Sequence, residues 1–125
     1  MSDKALRAED YVGHMLEAVT NVLAYTNGFD GARLRQTPVV RDAVIRNLEV
    51  LGEAARNVIR HAPAVVAANP QIPWDVIYAT RNRLSHGYMD VDLHVVWQVV
   101  SRELPELRQK LAHLAESLSA RRDGT

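Results

Sequence analysis

Apolar positions recur along nearly the whole chain at the three- and four-residue spacing of helices. In the first stretch, Tyr11, Met15, Ala18, Val22 and Tyr25 form one series, and Val12, Leu16, Val19 and Leu23 a second beside it. That broad apolar face predicts a helix from a cap at Ser2 or Asp3 to the stop signal Asn27-Gly28, packed on more than one neighbour. His14 sits beside the face as a structural histidine. A second long helix should start at Thr37-Pro38, with Thr37 as cap, and reach about Arg60, burying Val40, Val44, Leu48, Leu51, Ala55 and Val58. Gly52 inside it weakens the helix by about 1 kcal/mol relative to alanine, which a close backbone approach by another helix would explain. The longest regular pattern is the last: Leu93, Trp97, Val100, Leu104, Leu107, Leu111, Leu114 and Leu118, a heptad-like seam that Pro105 should kink or split.

Shorter elements fill the gaps. One helical turn is expected near Asp30 to Leu34 and another between Pro63 and Asn69, where Asn69-Pro70 breaks the chain. Ile72-Pro73-Trp74-Asp75 reads as a helix start, with Pro73 at the first helical position, Asp75 in the first turn and Gly87 suited to the C-terminal cap. Alternation of the strand type is absent from the sequence. The expected fold is therefore all-α, an antiparallel bundle of four or five helices. Residues 1–120 should form a single helical domain, and 121–125 a frayed tail.

Composition narrows the function classes. No apolar run is long enough for a membrane span, and the N-terminus lacks a signal-peptide pattern, so a cytoplasmic protein with no membrane partner is expected. With no cysteine, neither a disulfide framework nor a thiolate metal site can form. Net charge is zero, which predicts weak affinity for bulk nucleic acid. The charge is unevenly spread, however. Between Arg33 and His86 eight arginines face only Asp42, Glu49, Glu53 and Asp75, and a basic middle between acidic ends could make a local phosphate-attracting cleft.

The chemistry concentrates in Arg81-Asn82-Arg83-Leu84-Ser85-His86-Gly87-Tyr88. Asn82 and His86, four apart, share a helix face, and Arg83 neighbours His86 on it. Arg81 is five away and points roughly 140° from His86, so a working pair needs either a long reach or assembly across two chains. An imidazole can take a proton from a ribose 2′-hydroxyl or give one to a leaving oxygen, and a guanidinium can hold the charge that builds on phosphorus. The bland alternative is basic residues complementing a helix C-terminus. Glu49 and Glu53, near Arg46 and Arg56, either orient Arg81 or Arg83 or form a surface ion-pair ladder. Asp90, Asp92 and His94 alternate as a conceivable hard-metal cluster, but capping accounts for the aspartates more cheaply, and no metal or other cofactor is expected.

Arg-x-x-x-x-His-x-Tyr, here Arg81, His86 and Tyr88 with the polar Asn82 after the arginine, resembles the signature of the HepT-type ribonuclease toxins of the HEPN superfamily. Asp42 to Glu49, Gly52-Glu53-Ala54, Ile72-Pro73-Trp74, Trp97 and Leu104-Pro105-Glu106-Leu107 extend the likeness from about Tyr11 to Leu107. The resemblance implies a homodimer in which two motifs face each other across a cleft, and a metal-independent endoribonuclease acting on RNA. It implies His86 for proton transfer, Arg81 for phosphate and transition-state charge, and Asn82 for positioning. Arg83 and Tyr88 would contact substrate, with Arg46, Glu49 and Glu53 supporting. It further implies that a minimal nucleotidyltransferase antitoxin, the partner in a type VII toxin–antitoxin pair, silences the enzyme by adding AMP to Tyr88. The alternative within the same superfamily is a non-catalytic nucleotide- or partner-binding module of a nucleotidyltransferase complex.

Overall fold

Helices form where the apolar spacing puts them, and a few interruptions decide how they pack. The computed structural model describes residues 3–84 and 91–122, the side chains at 3–6, 81 and 122 falling outside that description. Helix α1 spans Asp3–Tyr25. Beyond it the chain turns at Gly28, whose φ of 78° is a conformation that side chains disfavour. The buried Thr26 hydroxyl donates back to the Val22 carbonyl at 2.8 Å, closing the helix end. Asp30 caps the short α2, Gly31–Gln36, accepting from the Arg33 N–H at 2.8 Å.

Helix α3 runs Pro38–His61, close to its expected bounds. Thr37 does not cap it with its side chain: the hydroxyl donates instead to the Arg33 carbonyl at 2.7 Å. One residue both ends α2 and precedes α3, and its hydroxyl is turned toward an orphan carbonyl of α2, so its oxygen accepts from no N–H at the start of α3. Pro38 has no N–H, so α3 has one orphan donor fewer. The stripe Val44, Leu48, Leu51, Ala55 and Val58 is buried, with Val40 half-buried at its edge. Against it lies α1, antiparallel: Asn21 meets Asn47 by an amide hydrogen bond at 3.3 Å, while Tyr11 stacks on His61 at 5.9 Å between ring centres.

The C-terminal seam is divided into α7 (Leu93–Gln98), a π-helical turn (Val99–Glu103) and α8 (Leu104–Arg122). Pro105 explains the π turn that precedes it. Its ring would collide with the Ser101 carbonyl and it offers no N–H, so one widened turn absorbs the misfit without breaking the rod. The Leu104, Leu107, Leu111, Leu114 and Leu118 side chains stay buried. Helix α8 packs on α1, and the start of α8 lies near the end of α1. Arg121 and Arg122, expected in the tail, continue α8.

Between these rods run α4 (Pro63–Ala68), α5 (Trp74–Tyr78) and α6 (Thr80–Leu84). Trp74 is buried, and its indole N–H donates to the Asn69 carbonyl at 3.0 Å. The helix starting after Pro73 is interrupted at Ala79, where ψ is −1°. The buried Thr80 bridges the break, donating to the Val76 carbonyl at 3.3 Å. The result is the expected all-α bundle, with no strand element among the described residues. No described helix is long and apolar enough to cross a membrane.

Candidate active-site cleft

The site is built on a close approach between two helices. Gly52 is buried in the middle of α3, and a Cβ added there would lie 3.4 Å from the Ile77 carbonyl oxygen and 3.6 Å from that of Tyr78. The C-terminal end of α5 thus rests on bare helix backbone, which is the close approach that Gly52 predicts. Residues 46, 49, 53 and 56 follow one another at spacings of three, four and three on the adjoining face of α3. Across from them stand Tyr78 and, four residues on, Asn82 in α6. Together with Gly52 these side chains line a cleft of about 670 Å³. Folding therefore joins Asn82 of the motif to Arg46, Glu49 and Glu53, residues some thirty positions earlier that the sequence marked as supporting.

The described lining pairs two arginines with two glutamates, so it is mixed in charge rather than basic. Glu53 lies 3.7 Å from Arg56, the glutamate exposed and the arginine half-buried. Arg46 is exposed and has no carboxylate partner among the described residues. Other arginines of the basic middle are engaged elsewhere: Arg33 lies over the Phe29 ring at 4.4 Å and Arg41 lies 3.4 Å from Asp42.

Arg83 takes a different direction from Asn82. Its two terminal nitrogens meet the two carboxylate oxygens of Glu103 at 3.0 and 2.6 Å, a bidentate pair between α6 and the last residue of the π turn. Hydrogen bonding to Glu103 holds the guanidinium above its ordinary value, against the opposite pull of partial burial. So the carboxylate on Arg83 is Glu103, not Glu49 or Glu53, and any phosphate that Arg83 took would share it with that carboxylate. A backbone hydrogen bond from the Asp92 N–H to the Leu84 carbonyl, 2.7 Å, ties the same end of α6 to the start of α7.

Arg81 has helical backbone in α6, with its side chain outside the described residues. His86 and Tyr88 lie outside them too, as does the angle between Arg81 and His86. Asp92 caps α7, accepting from the His94 and Val95 N–H groups at 3.0 and 3.2 Å, and the His94 ring lies 3.2 Å from the Gln98 amide. No group of acidic, histidine or cysteine side chains among the described residues could hold a metal ion, and Asp90 lies outside them.

Comparison with known proteins bears on the same stretch. Residues 15–114, which include the cleft and the whole motif, match the family described as ribonuclease HepT-like. The chain belongs to the HepT-like ribonuclease family. It is 30% identical over 106 residues to "Probable ribonuclease HepT" of Thermococcus cleftensis, covering 85% of this chain and 94% of that protein. It is 28% identical over 111 residues to "Putative RNase MJ1380" of Methanocaldococcus jannaschii, covering 89% and 97%. No solved structure matches the chain.

Two side chains of this region escaped the sequence. Tyr78 had a usable signal, since it lies four residues before Asn82 and so on the same face. Glu103 had none, being twenty residues from Arg83 and brought to it by packing.

Proposed function

We propose that this HepT-like chain is a metal-independent endoribonuclease, the toxin of a type VII toxin–antitoxin pair, acting as a homodimer. Membership of the family over residues 15–114 carries the ribonuclease activity. The convergence of Asn82 with the charged stripe of α3 supports placing substrate at that cleft. His86 takes the proton of the ribose 2′-hydroxyl, and the 2′-oxygen attacks phosphorus. The 5′-oxygen leaves with a proton returned by an imidazolium, leaving a 2′,3′-cyclic phosphate. Arg81 holds the charge on the phosphoryl oxygens and Asn82 positions the scissile group. Two facing motifs would supply one imidazole as base and another as acid. A minimal nucleotidyltransferase antitoxin controls the enzyme by adding AMP to the Tyr88 hydroxyl. The added negative charge and nucleotide bulk beside His86 then exclude RNA.

The test is cleavage of RNA in EDTA with product analysis. A cyclic phosphate, no cutting of DNA, and loss of cutting in His86→Ala at unchanged thermal stability are expected. A strict need for a divalent ion refutes the mechanism, and tight RNA binding without any cleavage favours the non-catalytic module. For control, intact and peptide mass after incubation with the partner and ATP should show AMP on Tyr88, absent in Tyr88→Phe. An unmodified Tyr88 in a fully inhibited complex refutes control by adenylylation.

A further inference from the structure

Tyr78 is 48% exposed although it stands in a cleft whose other side chains are charged or amide-bearing. Its hydroxyl has no hydrogen-bond partner among the described residues, so the ring is not held by its polar end. What fixes it is the backbone: the Tyr78 carbonyl is pressed against Gly52, which anchors the end of α5. A ring anchored at its root and open on its surface suits a flat, uncharged ligand.

The charges along α3 say where such a ligand can lie. From Arg46 to Arg56 the stripe is about 15 Å long, and Glu49 and Glu53 occupy its middle. Two carboxylates repel a phosphate there and leave that part of the cleft to a neutral group. Arg56 has Glu53 at 3.7 Å, whereas Arg46 has no carboxylate partner among the described residues and is the open cationic end. We propose that the cleft binds one unpaired nucleobase of single-stranded RNA, stacked on the Tyr78 ring, with a neighbouring phosphate at Arg46. This rests on the ribonuclease activity proposed above for its choice of ligand. Tyr78 is thus a substrate-binding residue separate from the motif. The free proton donors of a base edge would face Glu49 and Glu53.

The experiment uses a fluorescein-labelled, single-stranded 2′-O-methyl hexanucleotide, whose blocked hydroxyl cannot attack, titrated with the full chain. Tyr78→Ala should weaken binding about tenfold, the size of one lost base stack, while Tyr78→Phe should stay within about twofold. Replacing the bases by abasic sites should weaken wild-type binding and abolish the difference between wild type and Tyr78→Ala. Arg46→Gln should lower the slope of log affinity against log salt by about one. Equal binding by wild type and Tyr78→Ala overturns the proposal. So does no binding by wild type, or a change of oligomeric state in Tyr78→Ala that matches its loss of affinity, which would make the ring a contact between copies. RNA cleavage by wild type is measured alongside. Tyr78-dependent binding without cleavage would sink the nuclease activity and leave the base site standing, and cleavage without Tyr78 dependence would do the reverse.

Discussion

The bidentate pair between Arg83 and Glu103 should couple the motif helix to the π turn, and a double-mutant cycle measures that coupling. Both side chains are partly solvated, 32% and 42% exposed, so water screens much of the attraction. An exposed ion pair gives about 0.2–1 kcal/mol, and the fork-to-fork geometry at 3.0 and 2.6 Å puts this one toward the upper end. We expect a coupling of about 0.7 kcal/mol between Arg83→Gln and Glu103→Gln, read from urea unfolding at low salt. In a domain of this size each single variant should lose a few degrees of melting temperature, on the order of 3 °C. The coupling should shrink in 1 M salt, where the screening length is about 3 Å. Because the folded-state guanidinium is held above its ordinary value, its contribution is full at every pH below that ordinary value and is lost only above it. The coupling should therefore be flat from pH 6 to 9. Coupling indistinguishable from zero at low salt would refute the idea that this pair fixes α6. The same variants test whether Arg83 also holds RNA. If it does, Arg83→Gln lowers the salt slope of RNA binding by about one while Glu103→Gln does not.

Three further outcomes follow from local geometry. Asp92→Ala removes a carboxylate that accepts from two N–H groups at the start of α7, and should lower stability by about 1 kcal/mol in chemical unfolding. Gly13→Ala adds a methyl that meets nothing within 4 Å in the middle of α1, so it should raise stability by about 0.5–1 kcal/mol. Gly52→Leu should lower stability by about 1–3 kcal/mol and loosen the cleft, because its Cβ would already touch the carbonyls of Ile77 and Tyr78 at 3.4 and 3.6 Å and three more carbons would have to fit beyond it; wild-type melting temperature in that variant would refute the close approach.

How far the sequence revealed this molecule depended on the range of the forces at work. The stripes Val44, Leu48, Leu51, Ala55, Val58 and Leu104, Leu107, Leu111, Leu114, Leu118 are patterns within one helix, and each is buried as its spacing predicts. Gly52 was legible for the same reason, since an internal glycine costs helix stability and a close approach by another helix is what offsets the cost. Thr37 departs from its expected role because orphan groups lie on both sides of it, a carbonyl of α2 and the first N–H groups of α3, and sequence alone does not rank them. The break at Ala79 was also invisible, because no glycine or proline marks it in the sequence. Asn82 and the α3 stripe were each singled out, but no local pattern could reveal that they share a cleft. That meeting depends on how far α5 slides along α3, and Gly52 sets the stop.

Pro105 ties these observations together. A proline at that position removes one N–H and crowds the carbonyl four residues back, and the chain answers with a five-residue π-helical turn, Val99–Glu103. The wider turn changes the direction in which its last residue projects, and that residue is Glu103, which holds Arg83. Pro105 thus acts at a distance on α6. Pro105→Ala allows an unbroken α-helix from Leu93, which would rotate Glu103 away from Arg83. The variant should gain helical stability, for proline disfavours a helix interior by about 3 kcal/mol relative to alanine. It should also lose most of the Arg83–Glu103 coupling. Repeating the double-mutant cycle in the Pro105→Ala background decides the matter: undiminished coupling would mean that the π turn is incidental to the placement of Glu103.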